Sequence, residues 1–130
     1  MTHYKYSRKI YGFECDIYGH MNNAAYLNLY EEARSEVLDS CGCSVAHLKN
    51  QNIDLYLTRI ELDFKKEVHL GEKVSIETQL QSISRVRYCW LQTLRGEDNR
   101  VCNQALVTGA FVRQGRPFRV QQSIVEAMSQ

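Results

Sequence analysis

Proline is nearly absent from this chain, with Pro117 the single example in 130 residues. Together with a hydrophobic share of 44%, this argues against a proline-rich or disordered segment and fits a chain long enough for one core. Long apolar runs are missing too: none approaches the ~20 residues of a membrane span. The N-terminus, MTHYKYSRKIYGFEC, lacks the apolar stretch of a signal peptide, so cytoplasm is the expected location. No charge of one sign dominates. The formal net charge is +1, with both signs spread along the chain, so neither nucleic acid nor membrane is an expected partner. There is no phosphate-binding Gly-rich loop and no Gly-x-Ser-x-Gly elbow. Repeats, low-complexity tracts and linkers are also absent, which predicts one domain over residues 1–130.

Cysteine is present, but not as a framework. Cys15, Cys41, Cys43, Cys89 and Cys102 are odd in number and scattered through apolar segments, unlike a disulfide scaffold. Cys41-x-Cys43 with His47 close behind is the one cluster that suggests zinc. Zinc sites need a further pair of ligands, and none follows at a suitable spacing, so no metal and no cofactor is expected.

The pattern along the chain reads as α+β. Tyr4 to Phe13 is rich in β-formers. After Asn22 the period changes: Tyr26, Leu29 or Tyr30, Ala33 and Val37 recur at three and four, which predicts a helix with one buried stripe. Asn22 or Asn23 can cap it, and Cys41-Gly42 can end it. Ser44 to Gln51 suggests a short helical turn. Strands follow. Ile53, Leu55 and Leu57 alternate, then Ile60, Leu62 and Phe64 alternate in the opposite phase, which predicts a bulge near Thr58-Arg59. Leu70 to Lys73 is a turn before Val74, Ile76, Thr78 and Leu80. Val86 to Leu94 is apolar on both parities and should be covered on both sides. Gly96 to Asn99 reads as a hairpin turn. Val101 to Val112 is a long strand whose small middle, Ala105, Thr108, Gly109 and Ala110, leaves room for a thick neighbour such as a helix. Ile124 to Met128 suggests a short last helix. One long helix against one antiparallel sheet is a layered α+β solution, and a sheet wrapped around such a helix is a hotdog.

The stretch CDIYGHMNNAAYLNLYEEAR, Cys15 to Arg34, carries more polar chemistry than a turn and a helix start require. Asp16-x-x-Gly19-His20-x-Asn22-Asn23-x-x-Tyr26, followed by Glu31-x-Ala33-Arg34, resembles the hotdog acyl-CoA thioesterases. The nearest groups are the 4-hydroxybenzoyl-CoA thioesterase type and the Tol-Pal-associated thioesterases. The resemblance spans roughly Tyr4 to Val120 and is dense in motif only from Asp16 to Arg34. It implies that Asp16 is the nucleophile or general base, and that the backbone N–H of Asn23 holds the thioester carbonyl. It also implies a homodimer, possibly a homotetramer, with active sites between subunits. Elementary chemistry agrees on the helix start, where free N–H groups and about half a positive charge suit an oxygen gaining negative charge. A thioester also has a good leaving group, so one carboxylate can suffice.

Other readings of these residues stay open. Asp16 taken alone is a turn residue. His20 can orient Asp16 or the substrate, or only bond backbone. Asn22 and Tyr26 are further candidates for substrate contact, against a cap for the first and core for the second. Glu31 and Arg34 can pair on the helix surface or meet a neighbouring subunit. Arg85, Arg87, Arg113, Arg116 and Arg119 can meet coenzyme A phosphates or simply solvate strand ends. The expected reaction is hydrolysis of an acyl-CoA to a carboxylic acid and coenzyme A. The alternatives are an acyl-carrier-protein thioesterase and a non-catalytic acyl-binding hotdog.

Overall fold

A computed structural model describes residues 3–130; the first two residues of the expected domain lie outside the described part. Strand β1 (His3–Lys9) leads into a single 3-10 turn, then the long helix α1 (Ala25–Ser40) and the short helix α2 (Val45–Asn50). Strands β2 (Asp54–Phe64), β3 (Lys73–Ile83), β4 (Arg87–Arg95) and β5 (Val101–Arg113) follow. A two-residue strand β6 (Arg116–Pro117) and helix α3 (Gln122–Met128) close the chain. The sheet is antiparallel throughout, in the order β1-β3-β4-β5-β2, with β6 on β5.

The predicted stripe on α1 is buried: Tyr26, Leu29, Tyr30, Ala33 and Val37 all lie against the concave side of the sheet. The cap position falls on Ala24, not on Asn22 or Asn23; Asn22 leads into it, its side-chain oxygen accepting from the Ala24 amide at 2.8 Å while its carbonyl accepts from Ala25. Gly42, with φ of +76°, ends it in a conformation that costs glycine little. Ser44 caps α2 through the His47 amide at 3.1 Å. The predicted phase slip in β2 is a register shift between Leu57 and Arg59 against β5. Such a bulge turns Ile60 and Leu62 back towards the covered face after Leu55.

Three expectations need correction. The inward face of β4 (Tyr88, Trp90, Gln92, Leu94) is buried, but its outward face is only half covered. In the small middle of β5, Ala105 is buried in the core, but Gly109 does not make room for a helix. A Cβ on Gly109 would overlap the ring of Tyr88, its partner across the ladder, so the glycine accommodates a side chain of the same sheet. Arg34 does not pair with Glu31 on the surface. It is 8% exposed, and its guanidinium donates to Gln92 Oε1 at 2.9 Å under the sheet. Gln92 in turn donates to the Tyr30 carbonyl and to Thr78 Oγ1, both at 3.0 Å. Burial holds the Arg34 guanidinium below the usual arginine range.

Candidate active site

Between the 3-10 turn and α1 the chain folds back on itself. Cys15 and Met21 form an isolated antiparallel bridge, and the Asp16 amide donates to the His20 carbonyl at 2.8 Å. The reversal needs a left-handed residue, which Gly19 provides at φ +77°. Asp16 Oδ1 accepts from the amides of Tyr18 at 2.9 Å and His20 at 3.2 Å. Asp16 is therefore a turn residue as well as a candidate base. Among the described residues nothing donates to its Oδ2, and the residue is exposed.

The loop is tied to the segment between β2 and β3. Met21 N–H donates to Val68 O at 2.8 Å and Leu70 N–H to Gly19 O at 2.9 Å. Together with the start of α1, these pieces enclose an open cleft of about 1200 Å³. Asp16, His20, Asn23 and Tyr26 all line it. Asn22 does not. Its side chain and amide are taken by the Ala24 N–H and the Glu14 carbonyl, so it is spent on the turn that leads into α1.

Asn23 stands one residue before the N-cap position Ala24. Among the described residues no acceptor meets its amide, whereas the neighbouring amides of Asn22, Ala24 and Ala25 are all bonded. A free N–H at the positive end of a 16-residue helix, on a residue that lines the cleft together with Asp16, is suited to stabilising an oxyanion. Tyr26 is both core and wall. It is buried, meets Phe64 edge-on at 5.3 Å, and burial pushes its hydroxyl up to about 12, so it stays a neutral phenol.

The sequence reading missed Glu67 and His69. His20 and His69 pair across an isolated bridge, and Glu67 Oε2 lies 3.2 Å from His20 Nε2. The segment from Lys65 to Leu70 looks like a linker between strands, and only its contact with the Asp16 loop gives it chemistry. Its sole earlier signal was the two polar residues flanking Val68, which is fully buried. The arginines named for coenzyme A lie elsewhere. Arg85 donates to the Val120 carbonyl, Arg113 to the carbonyls of Gln51 and Asn52, and none of Arg85, Arg87, Arg113, Arg116 or Arg119 lines this cleft. The cations that do line it are Lys65, Lys66 and Arg100, and Arg100 is engaged by Glu72 and Asp98. Burial raises the thiols of Cys15 and Cys102, which leaves neither primed as a nucleophile.

Residues 13–128 match the thioesterase-like superfamily. The long-chain acyl-CoA thioesterase FadM of Escherichia coli (strain K12) is 30% identical over 101 residues, covering 77% of this chain and 76% of its own. The acyl-CoA thioester hydrolase YbgC of Escherichia coli (strain CFT073) is 22% identical over 99% of this chain and 98% of its own. Among solved structures, the DHNA-CoA thioesterase of Staphylococcus aureus superposes with a TM-score of 0.92 at 22% identity. That likeness covers 99% of this chain and 90% of the other, and it shows the curled hotdog sheet.

Proposed function

This chain belongs to the thioesterase-like superfamily and is a thioester hydrolase of the acyl-CoA kind, and from that premise we propose that hydrolysis occurs at the Asp16–Asn23 cleft. One observation carries the reading: the exposed Asp16 and Asn23, whose amide has no acceptor among the described residues, line the same cleft. The thioester carbonyl accepts from the Asn23 amide, which favours the oxyanion of the tetrahedral intermediate. Asp16 either takes a proton from an attacking water or attacks the carbonyl carbon itself, giving an anhydride that water then opens. In both routes a C–O bond forms at that carbon, the C–S bond breaks, and coenzyme A leaves as a thiolate that takes up a proton. His20 borders the same space and orients the loop.

Tyr26 and Phe64 offer an apolar wall for the acyl group. Lys65 and Lys66 line the cleft without a carboxylate partner among the described residues, so they replace the arginines as the groups that meet coenzyme A phosphates. Ile17 is 92% and Tyr18 76% exposed although they directly follow Asp16. Apolar surface of that kind beside a site fits cover by a second subunit, which makes the working unit a homodimer. Among the described residues no helix is long and apolar enough to cross a membrane.

The test compares coenzyme A and acyl-carrier-protein thioesters of the same long-chain and aromatic acyl groups, with wild type and Asp16→Asn. Turnover of the best coenzyme A substrate should fall by ~10² or more in Asp16→Asn, while binding of a non-hydrolysable acyl-CoA changes little. Near-wild-type turnover in this variant would mean that Asp16 serves only the turn. Faster hydrolysis of the carrier-protein thioester would move the substrate class to the alternative.

A further inference from the structure

Among the described residues, one group of three His, Cys, Asp or Glu side chains has all its ligand atoms within 4.8 Å of one another: His20, Glu67 and His69. Glu67 Oε2 lies 3.2 Å from His20 Nε2 and 3.7 Å from His69 Nε2, and the two rings stand 5.1 Å apart. Ligands at ~2.0–2.2 Å from a tetrahedral zinc are about 3.4 Å from each other. Both measured separations lie near that edge length before any side chain moves.

The backbone holds the three in place. Val68 is fully buried, so alternation sends its neighbours Glu67 and His69 to the other side. The His20–His69 bridge and the Met21–Val68 and Leu70–Gly19 hydrogen bonds lock the two segments together. The His69 amide is further anchored on Glu72 Oε1 at 3.0 Å. An ion pair needs one imidazole on Glu67. Two imidazoles converging on a single carboxylate oxygen are redundant for that purpose, and are what a borderline-soft divalent cation takes. The cluster of Cys41, Cys43 and His47, set aside in the sequence, is not of this kind: Cys43 is buried, and the His47 ring meets Gln51.

We propose that His20, Glu67 and His69 form a zinc site at the active-site cleft, and that filling it suppresses hydrolysis. The site rests on its own geometry, and its regulatory effect rests on the reading of Asp16 given above. Three protein ligands leave a fourth position open within a cleft that also holds Asp16. An ion there, with the water it carries, takes up space in the cleft that the thioester has to enter. The coenzyme A thiolate released in the same cleft is a soft ligand for that open position, so the metal also retains product.

The experiment titrates chelator-treated protein with zinc chloride in a calorimeter and follows cobalt(II) absorbance as a second report of ligation. One ion per chain should bind saturably in wild type. His69→Ala and Glu67→Gln should each weaken it by a factor of ~10 or more, since even outer partners of metal ligands are worth about 10–100-fold. Hydrolysis by wild type should be lost along the same titration and return with chelator, while each variant keeps its own metal-free rate at those zinc levels. Absence of saturable binding, binding unchanged in both variants, or a rate that holds or rises as the site fills would each overturn the proposal. If the metal-free protein hydrolyses no acyl-CoA at all, the reading of function fails. The calorimetric titration by itself then decides the site.

Discussion

Asp16 carries two jobs that substitution can separate. Its Oδ1 holds the loop through the Tyr18 and His20 amides, and its charge is what the chemistry needs. In Asp16→Asn the amide oxygen can still accept both bonds, so the melting temperature should stay near wild type while turnover falls. Asp16→Ala removes the acceptor as well, and should cost a further ~1 kcal/mol of stability, the usual worth of a hydrogen bond. Equal melting temperatures for the two variants would show that the turn does not depend on this side chain. Glu72 titrates the fold rather than the reaction. Burial alone would raise its carboxyl, but Arg100 and the amides of His69 and Glu97 outweigh that and hold it below the usual carboxylate range. A carboxylate depressed in the fold binds its proton more tightly when unfolded, so its stabilisation is present above the ordinary carboxylate range and is lost as pH falls through it. Urea midpoints measured downwards from neutral pH should therefore drop in acid, and Glu72→Gln should flatten that drop. A slope unchanged by the substitution would assign the acid sensitivity to other groups.

Helix α1 reaches the sheet through polar as well as apolar contacts. Tyr30 donates to Asn103 Oδ1 at 2.7 Å, and Arg34, Gln92 and Thr78 form a second buried chain. Gln92 is the joint, since it accepts from Arg34 and donates twice. Gln92→Leu roughly preserves volume but takes the acceptor from the buried Arg34 guanidinium and the donor from Thr78 Oγ1, so it should destabilise by about 1–3 kcal/mol or more. Chemical denaturation checks this, and a loss well below that range would mean water replaces the amide. None of this network was legible in the sequence, where Arg34 stands three residues after Glu31 and reads as a surface partner. Periodicity reports apolar residues, and it has no means of marking an arginine that faces inward to meet a glutamine 58 positions away. What periodicity can carry, it carried: the α1 stripe, the α2 turn and the phase slip in β2 all depend on neighbours in sequence. Asp16, His20 and Asn23 could be named as candidates through the resemblance of one short motif, and the structure brings all three to one cleft. Glu67, His69 and the lysines beside them were not legible, since only a long-range contact places them on the cleft.

At the scale of the molecule, the two edges of the sheet differ in kind. β1 is one edge, alternating exposed polar residues with half-buried ones. β2 is the other, and it leaves Tyr56, Leu57 and Phe64 about half exposed beside a ladder that has no partner on that side. Long apolar edge strands invite pairing with another chain, and here nothing else in the described fold covers β2. Pairing two β2 strands about a two-fold axis would continue the sheet and bury these side chains. Phe64 belongs both to this edge and to the cleft wall, so the same pairing would bring the partner to the active site. The expected state in sedimentation at micromolar concentration is a dimer, with or without further pairing to a tetramer. Leu57→Lys puts a charge on the apolar edge at a residue outside the cleft lining, and should shift the protein to monomer. If the sites straddle the subunit boundary, turnover should fall with dissociation and recover as protein concentration rises. A fully active monomer in wild type would overturn this account of the edge and show that one chain completes its own site.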